Sequence, residues 1–256
     1  MKNIFILLVI GLVSAAPSYA QTSYTIEGSS SKLSIIEVNR VTLMGTTDNK
    51  VTIEIEGDGT VMPEKAKGLK LINPAGYSDN TGLGLFVEKK DDTHYIRSLS
   101  TKAGKRYIIK VPASYFVHYE TSSYNGKRLI IDNLKAELDA SVSYGGVELS
   151  GVTGPMAIHS VFGGITADFE SVSQDGPISL YSVYQDVDVS VPSSSKAEFK
   201  LKVSYGDLYS DMDLKYPKDE DGMTNLTGKD MGAMLNGGGV SFTIKSGYKN
   251  IYLRKK

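Results

Sequence analysis

The amino-acid sequence predicts an all-β protein: a single-domain parallel β-helix (β-solenoid) with rungs of about 20 residues and a less regular N-terminal β portion. Three observations predict this fold. An aromatic residue recurs at nearly constant spacing, apolar pairs spaced by two residues flank each aromatic, and turn-forming residues follow it immediately. Spacing by two is the side-chain period of a β-strand with one buried face. Each repeat therefore contains two short strands and two corners.

The aromatic repeat runs through the second half of the chain. Successive members are 20, 18, 22 and 21 residues apart, and a sixth follows 43 residues later, close to two further repeats. They are Tyr124, Tyr144, Phe162, Tyr184, Tyr205 and Tyr248. Glycine is frequent at the corner after each aromatic, as at Gly146 and Gly164. Because glycine tolerates the positive φ of a sharp corner, we predict such a backbone at Gly146.

Stacking of successive repeats follows from their size. Two short strands cannot bury their own apolar face, whereas neighbouring repeats in register form one continuous core. The aromatics are then expected to form a ladder with strands about 4.8 Å apart. An antiparallel sandwich also has frequent turns. It does not predict that one residue class returns at the same place every 20 residues or so.

The first 20 residues have the three-part pattern of a secretory signal peptide. Lys2 supplies a positive charge, residues 4–13 are apolar apart from one glycine, and small residues precede a cleavage site after Ala20. No later segment approaches the roughly 18 apolar residues of a membrane helix. We therefore expect one mature domain, residues 21–256, without a membrane span. It is expected in the periplasm, outside the cell or at the cell surface.

Regularity varies along the predicted domain. The regular rungs cover residues 110–215 and 235–254, and irregular excursions cover residues 57–82 and 216–232. Between them, alternating apolar residues predict N-terminal strands, including strands at 83–89, 93–99 and 106–111.

Several segments resemble one known family. They are DNTGLGL at 79–85, the Val-Pro elements at 111–112 and 191–192, the rung pattern S-x-Y-G followed by Gly or Asp, and LNGGGVSFTIKSGYKNIYLRKK at 235–256. With them the chain resembles the putative adhesin family, exported β-strand-repeat proteins of Gram-negative bacteria with a domain of unknown function. The resemblance covers residues 30–256, roughly, and implies a parallel β-helix with surface binding. It implies no catalytic residues.

Composition excludes several functions. The net charge of −1 argues against a nucleic-acid partner, and the lack of cysteine excludes disulfides, thiolate nucleophiles and cysteine metal sites. None of the three histidines, His94, His118 and His159, has a second metal ligand at a suitable spacing. His118 occupies a place where other rungs carry an apolar core residue, so it is expected to be partly buried. His159 is expected to face outward. We expect no catalytic residues and no resident cofactor.

Two aspartates suggest a further site. Asp186 and Asp207 hold the same corner position in consecutive repeats, which predicts carboxylates about 5 Å apart on adjacent rungs. Such a pair would suit calcium or the acid–base chemistry of a polysaccharide-degrading enzyme. The alternative is that aspartate is simply a good corner residue, since glycine or asparagine stands there in other copies.

The remaining candidates are outward-facing tyrosines, namely Tyr181, Tyr209 and Tyr252, which are able to stack on sugars or partner proteins. The sequence thus favours an exported, non-enzymatic β-solenoid that binds an envelope polysaccharide or protein, or serves as a scaffold. The alternative function is a polysaccharide-degrading enzyme.

Overall fold

The computed structural model describes residues 22–57, 64–66, 68–100, 104–216 and 230–256. The signal peptide predicted for residues 1–20 lies outside them, as does most of the excursion predicted for residues 216–232. The described residues form twenty β-strands in two mixed ten-stranded sheets and contain no α-helix. Their single 3-10 helix, Glu64–Ala66, lies in the predicted excursion 57–82.

The strands of the first half are β1 (Ser23–Thr25), β2 (Lys32–Ile36), β3 (Val41–Thr46), β4 (Thr52–Glu56), β5 (Leu85–Lys90), β6 (Thr93–Ser98), β7 (Arg106–Pro112), β8 (Phe116–Thr121) and β9 (Leu129–Asp132). Those of the second half are β10 (Glu137–Val142), β11 (Val147–Val152), β12 (Met156–Ser160), β13 (Ile165–Phe169), β14 (Ile178–Ser182), β15 (Val187–Val191), β16 (Ala197–Val203), β17 (Leu208–Ser210), β18 (Asp230–Leu235), β19 (Val240–Ser246) and β20 (Ile251–Lys255).

Equivalent strands of successive repeats pair in parallel and in register. In one sheet, here sheet B, Ile158 of β12 lies opposite Ala140 of β10 and Leu180 of β14. In the other, sheet A, β13 is placed in the same way between β11 and β15. The prediction that equivalent residues form columns along one axis is therefore confirmed for these repeats. A rung is hereafter one sheet-B strand with its consecutive sheet-A strand.

The spatial order of the rungs differs from their order in the chain. Sheet A has the order β1-β4-β7-β3-β9-β11-β13-β15-β20-β17, and sheet B has the order β18-β16-β19-β14-β12-β10-β8-β2-β6-β5. The last rung in the chain, β19 with β20, thus lies between the rung β14–β15 and the rung β16–β17. At the other end, β2 with β3 likewise lies between β6–β7 and β8–β9.

The C-terminal turn makes this insertion possible. Strand β18 pairs antiparallel with the outer edge of β16, and β19 then pairs parallel with the inner edge. The chain reverses through Asn236, Gly237 and Gly238, which all have positive φ between 51° and 86°. The Asn236 side-chain amide donates hydrogen bonds to the carbonyls of Ser193 and Ser195 at 2.8 and 2.7 Å. The motif LNGGG therefore forms the turn that returns the chain into the stack.

The two sheets share one core. Alternate side chains of every regular strand point inward, and the largest of those that are fully buried include Tyr119, Phe169, Phe199 and Phe242. Antiparallel strands cover three of the four sheet ends: β5 and β18 end sheet B, and β1 with β4 ends sheet A. The other end of sheet A is β17, which pairs in parallel with β20. Since an open sheet edge exposes unpaired backbone groups, the antiparallel strands protect the ends that they cover.

The prediction of a positive φ at Gly146 is wrong. Positive φ occurs at the preceding residue, Gly145, where φ is 87°. Gly146 is constrained by proximity instead, because a Cβ atom there would lie 2.9 Å from the carbonyl oxygen of Gly164 on the next rung. The glycines of these corners thus serve close stacking of backbones as well as sharp turning.

The segment DNTGLGL has a structural role at the N-terminal end. The Asp79 carboxylate accepts backbone N–H bonds from Thr81, Gly82 and Gly84 at 2.8–2.9 Å. The Asn80 side chain donates a hydrogen bond to the Val87 carbonyl at 2.7 Å and accepts one from the Val87 N–H at 2.9 Å. These bonds satisfy the polar backbone of an irregular segment, which would otherwise destabilise the end of sheet B.

One core position of this end carries an ionisable group. His94 is 1% exposed and lies opposite Leu33 in the inward-facing column of sheet B. Neither ring nitrogen has a hydrogen-bond partner in the described part of the chain. Burial lowers the pKa of His94 below its ordinary value of 6.5, because the protonated ring would lose its hydration.

We expect His94 to make the fold sensitive to acid. Its folded pKa is lowered, so the unfolded chain binds this proton more readily, and the free energy of unfolding falls as the pH drops below 6.5. Urea titrations between about pH 7 and about pH 5 should show a flatter pH dependence in His94→Leu than in the wild type. The exposed His159→Leu is the control and should retain the wild-type slope. An unchanged slope in His94→Leu would contradict this assignment.

Candidate functional site

The C-terminal rungs bring several predicted residues together on the outer face of sheet A. Strand β20 lies between β15 and β17, so Tyr252 is in register with Asp188 on one side and with Tyr209 on the other. Residues of one register position point to the same face. The side chains of Asp188, Tyr252 and Tyr209 therefore form one outward column.

The two tyrosines of this column form a stacked pair. Their ring centroids are 5.4 Å apart with an interplanar angle of 13°. The guanidinium carbon of Arg254 lies 5.3 Å from the centroid of the Tyr252 ring. Arg254 also forms two hydrogen bonds with the Asp188 carboxylate, at 2.7 and 2.9 Å. Asp188 thereby raises the pKa of Arg254 and holds the guanidinium in a fixed orientation.

Polar groups of the corner extend the tyrosine pair. The Asn250 side-chain amide donates a hydrogen bond to the Tyr252 hydroxyl at 3.0 Å, and the Tyr209 hydroxyl lies 3.4 Å from Asp207. The negative charge of Asp207 raises the pKa of the Tyr209 phenol, and the Tyr209 hydroxyl donates its hydrogen bond to that carboxylate. We call Asp207, Tyr209, Asn250, Tyr252 and Arg254 the tyrosine patch.

The structure corrects the predicted pair of stacked carboxylates. Asp186 and Asp207 are not on adjacent rungs, because the inserted strand β20 places Asn250 between them. Asp186 accepts a hydrogen bond from the Asn250 N–H at 2.9 Å, and the Asn250 side-chain oxygen accepts one from the Asp207 N–H at 3.0 Å. The close pair that the calcium and hydrolase hypotheses required does not form. Each of these corner side chains joins neighbouring rungs instead.

The third predicted tyrosine lies elsewhere. Tyr181 is on the outer face of sheet B, stacked on His159 with centroids 5.1 Å apart and an interplanar angle of 16°. The structure thus brings Tyr209 and Tyr252 together and separates both from Tyr181. Sequence reasoning missed Asn250 and Arg254 as site residues. The outward parity of Arg254 and the corner position of Asn250 were visible in the sequence, but the partners of both residues depend on the rung insertion.

The aromatic ladder forms as predicted, in a different order. Tyr248 lies between Tyr184 and Tyr205, with centroids 5.0 Å from each. The complete spatial sequence is Tyr124, Tyr144, Phe162, Tyr184, Tyr248 and Tyr205, with neighbouring centroids 5.0–5.3 Å apart. The end residues Tyr124 and Tyr205 are 81% and 73% exposed. The interior rings stack on one another, so the ladder presents mainly ring edges and hydroxyls to solvent.

His118 is not the core residue that its place in the repeat predicted. Val117 and Tyr119 point inward instead, and they pair with Leu138 and Ala140 of the next rung. His118 points outward, with Nδ1 3.2 Å from the Asp139 carboxylate. The corner between β8 and Tyr124 is one residue longer than in the other rungs. The inward-facing residues therefore stand seven and five residues before the aromatic, where other rungs have them six and four residues before it. His159 faces outward, as predicted.

Other site types can be assessed within the described ranges. No group of three or more His, Asp or Glu side chains converges there into an arrangement able to hold a metal ion. Nor does any helix of the described residues have the length and apolarity needed to cross a membrane.

Comparisons with known proteins give distant structural likenesses. No protein-family model matches the sequence, and no curated protein matches it significantly. The chain is similar to the crystal structure of a putative cell adhesion protein from Clostridium sporogenes, with 12% identity, a TM-score of 0.48, and coverage of 91% of this chain and 98% of that chain. It is also similar to a putative adhesin from Bacteroides fragilis, with 12% identity, a TM-score of 0.31, and coverage of 91% and 95%. Both TM-scores are below 0.5, so neither likeness assigns a function to this chain.

Proposed function

We propose that this chain is an exported, adhesin-like binding protein of the cell envelope. In this proposal its strands form a parallel β-helix, and it holds a polysaccharide at the tyrosine patch without cleaving it. The signal-peptide pattern of residues 1–20 supports export. In-register parallel stacking of the regular rungs supports the β-helix. The stacked tyrosine pair with its polar neighbours is the observation that carries the binding function.

The chemistry of the patch suits a sugar. A pyranose ring offers an apolar face of C–H groups surrounded by hydroxyls, so it needs an aromatic face with donors and acceptors beside it. Tyr209 is 51% exposed and stacks on Tyr252 with one face only among the described residues. Asp207 supplies acceptors, and Arg254 supplies donors nearby. Since Tyr252 and Arg254 are already held by protein contacts, little side-chain entropy is lost on binding.

The aromatic ladder is less suitable for this role. Its interior rings cover one another's faces, and sugar stacking needs an open face. The ladder instead stabilises the edge of the stack, since each aromatic contact contributes about 0.5–1.5 kcal/mol. We therefore place the polysaccharide on the outer face of sheet A.

The proposal predicts that Tyr209→Ala weakens polysaccharide binding at least about fivefold, because truncation of a stacking aromatic is expected to cost about 1 kcal/mol or more. Residues 21–256 would be applied to an array of bacterial and plant polysaccharides, and the dissociation constants of the ligands found there measured by calorimetry. Tyr124→Ala, which removes the most exposed ladder tyrosine, is the matched control and should bind normally. Equal binding by Tyr209→Ala and the wild type, or no ligand on the array, would contradict the proposal.

The same ligands also test the enzymatic alternative. The non-enzymatic proposal expects polysaccharide chain lengths to remain unchanged after prolonged incubation with the protein, as measured by size-exclusion chromatography. Shortened chains with the wild type and intact chains with Asp207→Asn would contradict it, provided that this variant folds and still binds.

A further inference from the structure

The outer face of sheet B has an uneven distribution of charge. On β8 and β10 the outward side chains include Glu120, Glu137 and Asp139. Three strands further along the stack, on β19 and β16, they include Lys245, Lys200 and Lys202. The acidic and basic ends are about 14 Å apart at the usual strand spacing.

Between these ends, the outward side chains of β12 and β14 include no Asp, Glu, Lys or Arg, and two of the four are small. Strand β12 contributes Ala157 and His159 to the outer face, and β14 contributes Ser179 and Tyr181 in register with them. All four side chains are at least partly exposed. Two small residues leave a shallow shelf beside the stacked His159–Tyr181 pair, so another flat surface can approach the sheet closely here.

From this arrangement we infer that the outer face of sheet B binds a second copy of the same chain in a two-fold symmetric dimer. A two-fold axis parallel to the strands, placed between β12 and β14, superposes β10 on the second copy's β19 and β8 on its β16. The acidic end of each copy then faces the basic end of the other. A two-fold axis along the stack would place like charges together, so the charges select the first arrangement.

The exceptions to the charge pattern fit the same axis. Lys32 lies on β2 at the acidic end, and Glu198 lies on β16 at the basic end. The axis places Glu198 over the second copy's β8, whose neighbouring strand β2 carries Lys32. Glu198 then lies opposite Phe116, with Lys32 on one side and Glu137 on the other, so the axis gives Glu198 one neighbour of opposite charge.

Several charged side chains of this face take no part in ion pairs among the described residues and are therefore available for a contact between two copies. Lys202 pairs with Asp230 at 3.0 Å, and His118 contacts both Asp139 and Glu120. No ion pair involves Lys200, Lys245 or Glu137 within the described residues. The axis brings Lys200 near Asp139 and Lys245 near Glu120 of the second copy, so the contact gives both lysines a partner of opposite charge.

The available area agrees with a dimer of moderate stability. Eight strands from β18 to β2 lie symmetrically about the axis and span roughly 38 Å by 17 Å, or on the order of 650 Å² per copy. A standard specific interface buries about 800 Å² per partner. An acidic polymer is a poorer fit, since a chain crossing the whole face would meet the carboxylates of β8 and β10.

Charge reversal tests the dimer sharply. Sedimentation velocity of residues 21–256 should show a monomer–dimer equilibrium at up to on the order of 0.1 mM protein. Lys245→Glu and Glu120→Lys should each weaken dimerisation at least about tenfold, because each places like charges in both symmetric contacts. Mixing the two variants should restore a dimer, since every reversed charge then meets its opposite.

Controls separate this inference from misfolding and from other ligands. Circular dichroism should show native strand content in each variant, and the double variant Lys245→Glu/Glu120→Lys should dimerise again. A monomeric wild type at the highest concentration, or a mixture that stays monomeric, would overturn the inference. Binding of heparin, used as an anionic probe, by a monomeric wild type but not by Lys245→Glu would assign the basic end to an acidic polymer instead. Polysaccharide binding at the tyrosine patch is measured independently and does not depend on either result.

Discussion

Replacing Phe242 by alanine will lower the free energy of unfolding by about 3–5 kcal/mol, the usual cost of removing a fully buried phenylalanine ring. Phe242 is 0% exposed and lies on β19, the sheet-B strand of the inserted rung. Its ring centroid is 5.2 Å from those of both Phe199 and Phe169. The substitution therefore leaves a cavity between two remaining aromatic rings, Phe169 of sheet A and Phe199 of sheet B. Because each ring is held by strand pairing on its own sheet, the cavity cannot collapse completely.

Urea denaturation of the wild type, Phe242→Ala and Phe162→Ala would measure this effect. Phe162 is the matched control, since it also stacks between two aromatics but is 48% exposed at the edge of the stack. We expect the control to lose about 1–3 kcal/mol, because most of its contribution comes from two ring contacts of about 0.5–1.5 kcal/mol each. If both substitutions had the same effect, the C-terminal rung would not be buried between its neighbours.

The regular rungs could be predicted because parallel in-register stacking repeats the same environment. Leu138, Met156 and Ile178 stand six residues before successive ladder aromatics, and the structure places them opposite one another in one buried column. A one-residue change in a corner is enough to defeat this reasoning. At Tyr124 the additional residue reverses the parity, so His118 is partly buried but points outward, where the repeat predicted an inward-facing core residue.

The spatial order of the rungs could not be predicted from periodicity. The copies at Tyr205 and Tyr248 have similar apolar patterns, so either would fit beside the copy at Tyr184 by local criteria. The choice depends on non-local pairing, because β18 occupies the outer edge of β16 and leaves the inner edge to β19. The observed site differs from the predicted one for the same reason. Strand β20 places Asn250 between Asp186 and Asp207, and it places Tyr252 beside Tyr209.

The second large effect is expected at Gly163, in the corner that follows the ladder residue Phe162. A Cβ atom at this position would overlap the carbonyl oxygen of Gly145 and lie 2.6 Å from the Cα atom of Gly146. Both are backbone atoms of the adjacent rung, which strand pairing holds on either side of the corner. No rotation of a side chain can relieve the overlap. Gly163→Ala should therefore lower the free energy of unfolding by at least about 3 kcal/mol, the upper part of the range for overpacking.

The neighbouring glycine provides the control for this prediction. At Gly164 an added Cβ atom would lie 3.2 Å from the carbonyl oxygen of Asp186, and φ is not positive there. A shift of a few tenths of an ångström would accommodate it, so Gly164→Ala should change stability by less than about 1 kcal/mol. Both variants add one methyl group to the same corner and have the same effect on the unfolded chain. Equal stability of the two variants would mean that adjacent rungs are not in close backbone contact at this corner. The in-register stack of rungs would then lack its closest backbone contact, the one between Gly163 and Gly145.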